Sequence, residues 1–582
     1  MSAELDSPKT GLVNASTSNG RVRRRSVLVG AAAVVGGSVA SSVMSPPALA
    51  SAAPAAPSVQ GTGDTVVARA GTATVEIESG KITGAIFRGI YAFKGIPYGA
   101  DTGGSNRFQP AKKPVPWAGI RSSCQYGFVC PQGKDMGKRN DEQGFMFQNN
   151  DRIEEEDCLR INVWTPGIAD NKKRPVMVWL HGGGFTVGSG HDIPCFDGEN
   201  IARRGDVVLV TLNHRLNFLG FMDLSRYSEK YALSGNVGML DIVTALEWVR
   251  DNISVFGGDP SRVLIFGQSG GGAKVTTLMG MPAAKGLFHR AVVQSGSFAL
   301  SNSPTQSQKL TDLVVAELGL NASSIDKLHS LPYADIYRAS EAVLARVNPH
   351  VDLAFMFARK GQFLNFGPLI DGNVIPASPL SDKAPAVSVD VPMIVGTTLN
   401  EFVNGMNHPE FDLMTEEELL AKTEEIYPGK AEKVIAAFRQ RTPTAKPADL
   451  FSRIAAAPIR KGAIKQAAAK AALNKAPAYL YWFQWQTPIF DGRPRAFHCA
   501  ELPFVFFNTD KMEAMTGGGP VAMALAEKMT DAWVQFARTG DPNHVGIPAW
   551  PQYSPKTAAS MIWDNNVEVA LDPDGRELSS IA

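Results

Sequence analysis

The chain has 582 residues, with 57 Lys and Arg against 56 Asp and Glu and a formal net charge of +1; a balance that close argues against nucleic-acid binding, which carries a clear basic excess. A charged fraction of 19% beside 44% hydrophobic residues excludes wholesale disorder and fits a large buried core. The 55 glycines and 38 prolines exclude a helical bundle, and five cysteines are too few for a disulfide scaffold and odd in number, so at least one thiol stays unpaired within a monomer.

The N-terminus reads as an export signal. Residues 1–20 are polar, and Arg24-Arg25-Ser26-Val27-Leu28 follows the twin-arginine pattern. An apolar stretch from Val27 to Val43, diluted by Gly30, Gly36, Gly37 and Ser38, leads to Ala48-Leu49-Ala50, a small-x-small cleavage site. We expect a signal peptide over residues 1–50, with an uncleaved anchor as the alternative, and a flexible leader rich in Ala, Pro and Ser over 51–62. The twin-arginine route carries folded proteins through a bacterial membrane, so the expected location is periplasmic or secreted. No later stretch approaches about 18 uninterrupted apolar residues, and no membrane span is expected after processing.

Residues 63–582 read as one large domain without internal repeats. Thr72 to Ile77 alternates at period two before a turn at Ser79-Gly80-Lys81, which signals a hairpin. Pro175–Leu180, Val207–Leu212, Val263–Phe266 and Val391–Gly396 are short runs apolar on both faces, as central parallel strands are. Between them, Leu240–Val249 has the spacing of a helix with one apolar face. Such alternation implies right-handed crossovers and an α/β fold, a large mostly parallel sheet with helices on both faces. Residues 301–365 and 403–475 are helical in pattern and read as insertions over that sheet.

The chemistry begins at Gly267-Gln268-Ser269-Gly270-Gly271, a G-x-S-x-G between a strand and a helical stretch. A serine on a sharp strand-to-helix turn projects its hydroxyl above the sheet, and the following helix N-terminus places partial positive charge near a developing oxyanion. The bland reading is a glycine-rich turn. His181-Gly182-Gly183-Gly184-Phe185 ends another strand, and its bare N–H groups suit the other half of an oxyanion hole. A phosphate loop is the rival, but no G-x-G-x-x-G or G-K-[ST] accompanies it. His181 reads as a residue orienting this loop and not as a base. With no H-E-x-x-H and no Cys/His cluster, neither metal nor cofactor is expected.

These motifs, with Phe93-Lys94-Gly95-Ile96-Pro97-Tyr98, Glu156-Asp157-Cys158-Leu159, Phe256-Gly257-Gly258-Asp259-Pro260, Glu501-Leu502-Pro503-Phe504 and Thr539-Gly540-Asp541-Pro542-Asn543, resemble the type-B carboxylesterase family over nearly the whole mature chain. That family of α/β-hydrolases includes bacterial carboxylesterases and animal cholinesterases. The resemblance implies a Ser-His-Glu triad of Ser269, His498 and Glu401, and hydrolysis of a small-molecule carboxylic ester through an acyl-enzyme. It also implies an oxyanion hole from Gly183, Gly184 and Gly270, and a disulfide between Cys130 and Cys158, leaving Cys124, Cys195 and Cys499 over. Phe402 stands where the family usually has Gly after its acid, and Asp371 is the second candidate for that acid, although Asp371-Gly372 reads as a turn. Gln268 and Gly270 replace the usual Glu and Ala beside the serine, and Cys499 the frequent Gly after the histidine. Without the Glu and without the upstream Trp of cholinesterases, neutral or weakly anionic esters are expected and choline esters are not. Two alternatives remain: an esterase specialised for one larger ester, lactone, carbamate or toxin ester, and a non-catalytic adhesion module.

Overall fold

The computed structural model describes residues 65–69, 71–133, 141–298, 301–349 and 363–582. The expected signal peptide and leader lie outside the described residues. The described residues belong to one compact unit.

A twelve-stranded sheet runs through it. From one edge the strands are Val66–Val67, Ala85–Phe87, Ile90–Pro97, Arg160–Thr165, Val208–Leu212, Arg174–Leu180, Gly258–Gln268, Arg290–Gln294, Met393–Thr398, Ala478–Phe483, Ser560–Trp563 and Glu568–Ala570. Neighbours from Val208–Leu212 through Ser560–Trp563 pair in parallel, and the strands outside this run pair antiparallel. The hairpin read at Thr72–Lys81 forms as Thr74–Ile77 against Gly80–Thr83, in a separate three-stranded sheet with Ile120–Ser122.

The apolar runs become central strands because both their faces are covered. Val176, Val178 and Leu180 belong to one hydrophobic cluster, while the alternate Met177 and Trp179 belong to another. Val263 and Ile265 against Leu264 and Phe266 repeat the division, as the two-residue period of a strand requires. The helix Val237–Asn252 supplies Met239, Ile242, Leu246 and Val249 to the first cluster. The helix Gly519–Thr539 supplies Leu525, Met529, Trp533 and Phe536 to the second. Beneath the first face Arg215 and Asp241 form a fully buried ion pair at 2.6 Å.

The helices Glu416–Ile426, Ala431–Arg441 and Pro447–Ala471 build a third cluster of their own. They lie between the strands Met393–Thr398 and Ala478–Phe483, as expected of an insertion. Strand limits differ from the sequence reading by one residue at Arg174–Leu180 and Val208–Leu212 and by more at the other two runs, which end at Gln268 and Thr398. The strand around Val263 extends back to Gly258 through an irregularity in its pairing, and the run from Val391 starts its strand only at Met393. Pro392 has no N–H to give to a ladder, which fits the later start.

Candidate active site

Every site residue follows the carboxyl end of a parallel strand, where ligands gather in sheets of this type. Ser269 caps the helix Gly270–Leu278 immediately after the strand Gly258–Gln268, with φ 58° and ψ −125°. A non-glycine residue at positive φ is strained and must be held. The Ser269 N–H donates to the Gln294 carbonyl at 2.8 Å, and the Ser269 carbonyl accepts from the Ala273 N–H at 2.9 Å. Ser269 remains half-exposed on this turn.

The loop after Arg174–Leu180 lies against that turn. A Cβ on Gly270 would sit 2.3–2.4 Å from backbone atoms of Gly184, so two backbones meet where side chains would keep them apart. Gly183 and Gly184 take φ of 83° and 65°, and among the described residues their N–H groups have no hydrogen-bond partner. The Gly270 N–H opens a helix and is one of the donors that a helix cannot satisfy itself. His181 is buried under this loop with Nδ1 2.9 Å from the Gly182 carbonyl oxygen, and burial pushes its pKa well down, which keeps it neutral. Its carbonyl accepts from Lys274 Nζ at 2.9 Å, and burial brings that lysine down to about 7.

His498 comes from the loop beyond Ala478–Phe483, and Glu401 from the loop after Met393–Thr398. His498 Nδ1 makes a short contact with Glu401 Oε2, and the His498 N–H donates to the Glu401 carbonyl at 2.8 Å. The other carboxylate oxygen accepts from Ser295 Oγ at 2.7 Å and from the Thr398 N–H at 3.0 Å. Glu401 is 1% exposed, so this carboxylate is enclosed by its donors and by the imidazole. Phe402 packs on the imidazole face. On the far side Gln268 Nε2 lies 3.1 Å from His498 Nε2, and Cys499 Sγ donates to Gln268 Oε1 at 3.2 Å. A second carboxyl, Glu501, is buried nearby, and burial reinforced by Glu401 raises it to about 8.

The structure thus brings Glu401 and His498 together and puts His498 against the residue preceding Ser269. Asp371 is elsewhere: its Oδ1 accepts from the N–H groups of Asn373 at 2.9 Å and Ile375 at 3.0 Å, and its Oδ2 from Asn236 Nδ2 at 3.0 Å. It is the turn residue that Asp371-Gly372 announces. The expected Cys130–Cys158 bridge is not formed. Both residues are buried free thiols, the Cys158 thiol beside that of Cys130, whose sulfur accepts the Leu216 N–H at 3.2 Å. Cys124, Cys195 and Cys499 are also free. Sequence reasoning missed Ser295, Thr398 and Lys274. Lys274 gave a signal, a lysine five residues into an otherwise apolar and small-residue helix.

A crevice of about 10 Å³, room for no more than a single water, lies between Phe185, Ala273, Thr276, Thr277, Phe298 and Pro379. No charged side chain lines it.

Residues 71–578 match the model of the carboxylesterase family. The chain belongs to that family. It is 34% identical over 515 residues to a para-nitrobenzyl esterase of Bacillus subtilis, covering 86% of this chain and 97% of that one. A phenmedipham hydrolase of Pseudarthrobacter oxydans is 30% identical, covering 85% and 96%. Among solved structures, an esterase of Clostridium hathewayi that can hydrolyse aliphatic aromatic polyesters superposes with a TM-score of 0.75 at 35% identity, covering 88% of this chain and 98% of that one. A carboxylesterase of Geobacillus stearothermophilus gives 0.72 at 34%, with 88% and 100% covered. The sheet described above is accordingly that of an α/β-hydrolase, and this family member is a carboxylic ester hydrolase.

Proposed function

We propose that this carboxylesterase works through Ser269, His498 and Glu401 and an acyl-enzyme intermediate. The pairing of His498 Nδ1 with the enclosed Glu401 carboxylate carries the reading. It fixes the proton on Nδ1 and leaves Nε2 as the acceptor, the tautomer that a general base needs. His498 then takes the Ser269 proton as Oγ attacks the ester carbonyl, and Glu401 stabilises the imidazolium. The N–H groups of Gly183, Gly184 and Gly270 receive the oxyanion; one such donor is worth about 3–4 kcal/mol. The imidazolium gives its proton to the ester oxygen, the neutral alcohol leaves, and water, deprotonated by the same imidazole, releases the acid.

The neutral Gln268 beside Ser269, where the family usually has Glu, supports neutral esters as substrates. The relatives named for phenmedipham and for aromatic polyesters support a second reading, a preference for a bulky ester or carbamate. The twin-arginine pattern at Arg24-Arg25 supports work outside the cytoplasm.

A fluorophosphonate probe followed by peptide mass spectrometry tests the mechanism. Label is expected on Ser269 and absent from Ser269→Ala. Full esterase turnover by folded Ser269→Ala would end the proposal. A panel of short, long and bulky acyl esters with matched carbamates separates the two substrate readings.

A further inference from the structure

His498 Nε2 is the atom that must accept the Ser269 proton, and in this structure another group occupies it. Gln268 Nε2 lies 3.1 Å from it. Among the described residues Ser269 Oγ has no hydrogen-bond partner. Gln268 is 1% exposed, so its amide cannot turn to water instead.

The orientation of that amide is determined by its neighbours. Cys499 presents an S–H to Oε1 at 3.2 Å. The enclosed surroundings of Cys499, with Glu501 and Glu401 near, push its thiol well up, so it stays a donor. The remaining end of the amide, two N–H donors, therefore faces His498. Because Nδ1 of the imidazole is committed to Glu401, Nε2 carries a lone pair, and an N–H donor is the partner it can bind. The reverse placement would set the amide oxygen against that lone pair and leave the thiol without its acceptor.

We infer that Gln268, aligned by Cys499, is a positioning residue that holds His498 on its reacting nitrogen until substrate arrives, and that it competes with Ser269 for the base. The inference rests on the proposed roles of Ser269 and His498. Once the imidazole has taken the serine proton, Nε2 bears a hydrogen and faces the N–H groups of Gln268, donor against donor. The contact exists in the resting site and is lost in the transition state. Binding that is stronger in the ground state than in the transition state slows the chemical step. The two departures from the family pattern beside Ser269 and after His498 are then one device, since each needs the other to hold the imidazole.

The test is the second-order rate of inactivation by a fluorophosphonate of the full-length protein and its Gln268→Met, Cys499→Ala and Cys499→Ser variants. Gln268→Met keeps length and loses the donor, so the rate should rise about two- to tenfold, the range of one ordinary hydrogen bond. A packing defect would slow the reaction, so a rise separates loss of a competitor from damage. Cys499→Ala should also raise the rate, and Cys499→Ser, which restores a donor to Gln268 Oε1, should bring it back toward that of the parent. A Gln268→Met rate equal to or below the parent, at an unchanged melting temperature, overturns the inference. If Gln268→Met does not fold, equal rates for Cys499→Ala and Cys499→Ser overturn it. Labelling of Ser269→Ala in the same assay would instead show that the roles beneath it are wrong.

Discussion

The ring of Phe402 lies 3.8 Å, centre to centre, from the imidazole of His498 and 31° from parallel to it. The residue next to the acid thus covers the face of the base, while Glu401 fixes its edge. A glycine there would leave that face to solvent and free the imidazole to tilt.

Phe402→Ala should therefore lower kcat about tenfold with little change in KM, because orientation of the base is lost and not ester binding. Steady-state kinetics on a para-nitrophenyl ester reads this directly. A rise in KM at constant kcat would show that Phe402 is a wall for substrate and not a support for His498.

The two candidate acids should separate cleanly. Glu401→Gln should cost orders of magnitude in kcat, through loss of the tautomer that Nδ1 needs. Asp371→Asn should leave kcat near normal and lower stability by about 1–2 kcal/mol, since it weakens the three hydrogen bonds of a turn. Turnover and urea denaturation of the two variants give both numbers.

Two buried groups set opposite pH dependences of stability. Burial raises the folded pKa of Glu501 to about 8 from its ordinary 4.5. Between those values the unfolded chain has released a proton that the native state keeps, so stability falls as pH rises through this window. Lys274 is lowered to about 7 from 10.5, so from about 7 upward the unfolded chain binds more protons and stability rises with pH. Glu501→Gln should flatten the loss between pH 5 and 8, and Lys274→Met the gain between pH 7 and 10. Denaturant midpoints measured across these ranges check each sign separately.

Export is testable by itself. Arg24→Lys with Arg25→Lys should retain active enzyme in the cytoplasm, because the transport route reads the arginine pair. Undiminished activity in the medium or periplasm would remove that reading.

The strands and the Ser269 turn were legible in the sequence because they depend on local chain order: an apolar run, a glycine-framed serine, a helical stretch. Asp371 was legible for the same reason, as a turn residue before Gly372. Contacts between strands were not. Ser295 reaches Glu401 only because Arg290–Gln294 and Met393–Thr398 are neighbours in the sheet, and roughly a hundred residues between them carry no mark of it. Gln268 and Cys499 stood out as unusual residues, but their meeting at His498 depends on where a long loop returns. Lys274 showed its charge in the helix pattern without showing the carbonyl it serves. The Cys130–Cys158 expectation, carried by the family resemblance, named two thiols that do lie side by side in the interior.

The contact between Gly270 and Gly184 has a bearing on descent. The two glycines sit on different loops, and Gly270 does not tolerate a methyl group while the Gly184 backbone stays where it is, whereas a methyl on Gly184 would meet only the Thr186 nitrogen at 3.9 Å. A lineage that acquires alanine after Ser269 must first, or at once, withdraw the glycine loop. The steric constraint runs one way, and substitutions sampled at Gly270 would report the arrangement of a loop some ninety residues earlier in the chain.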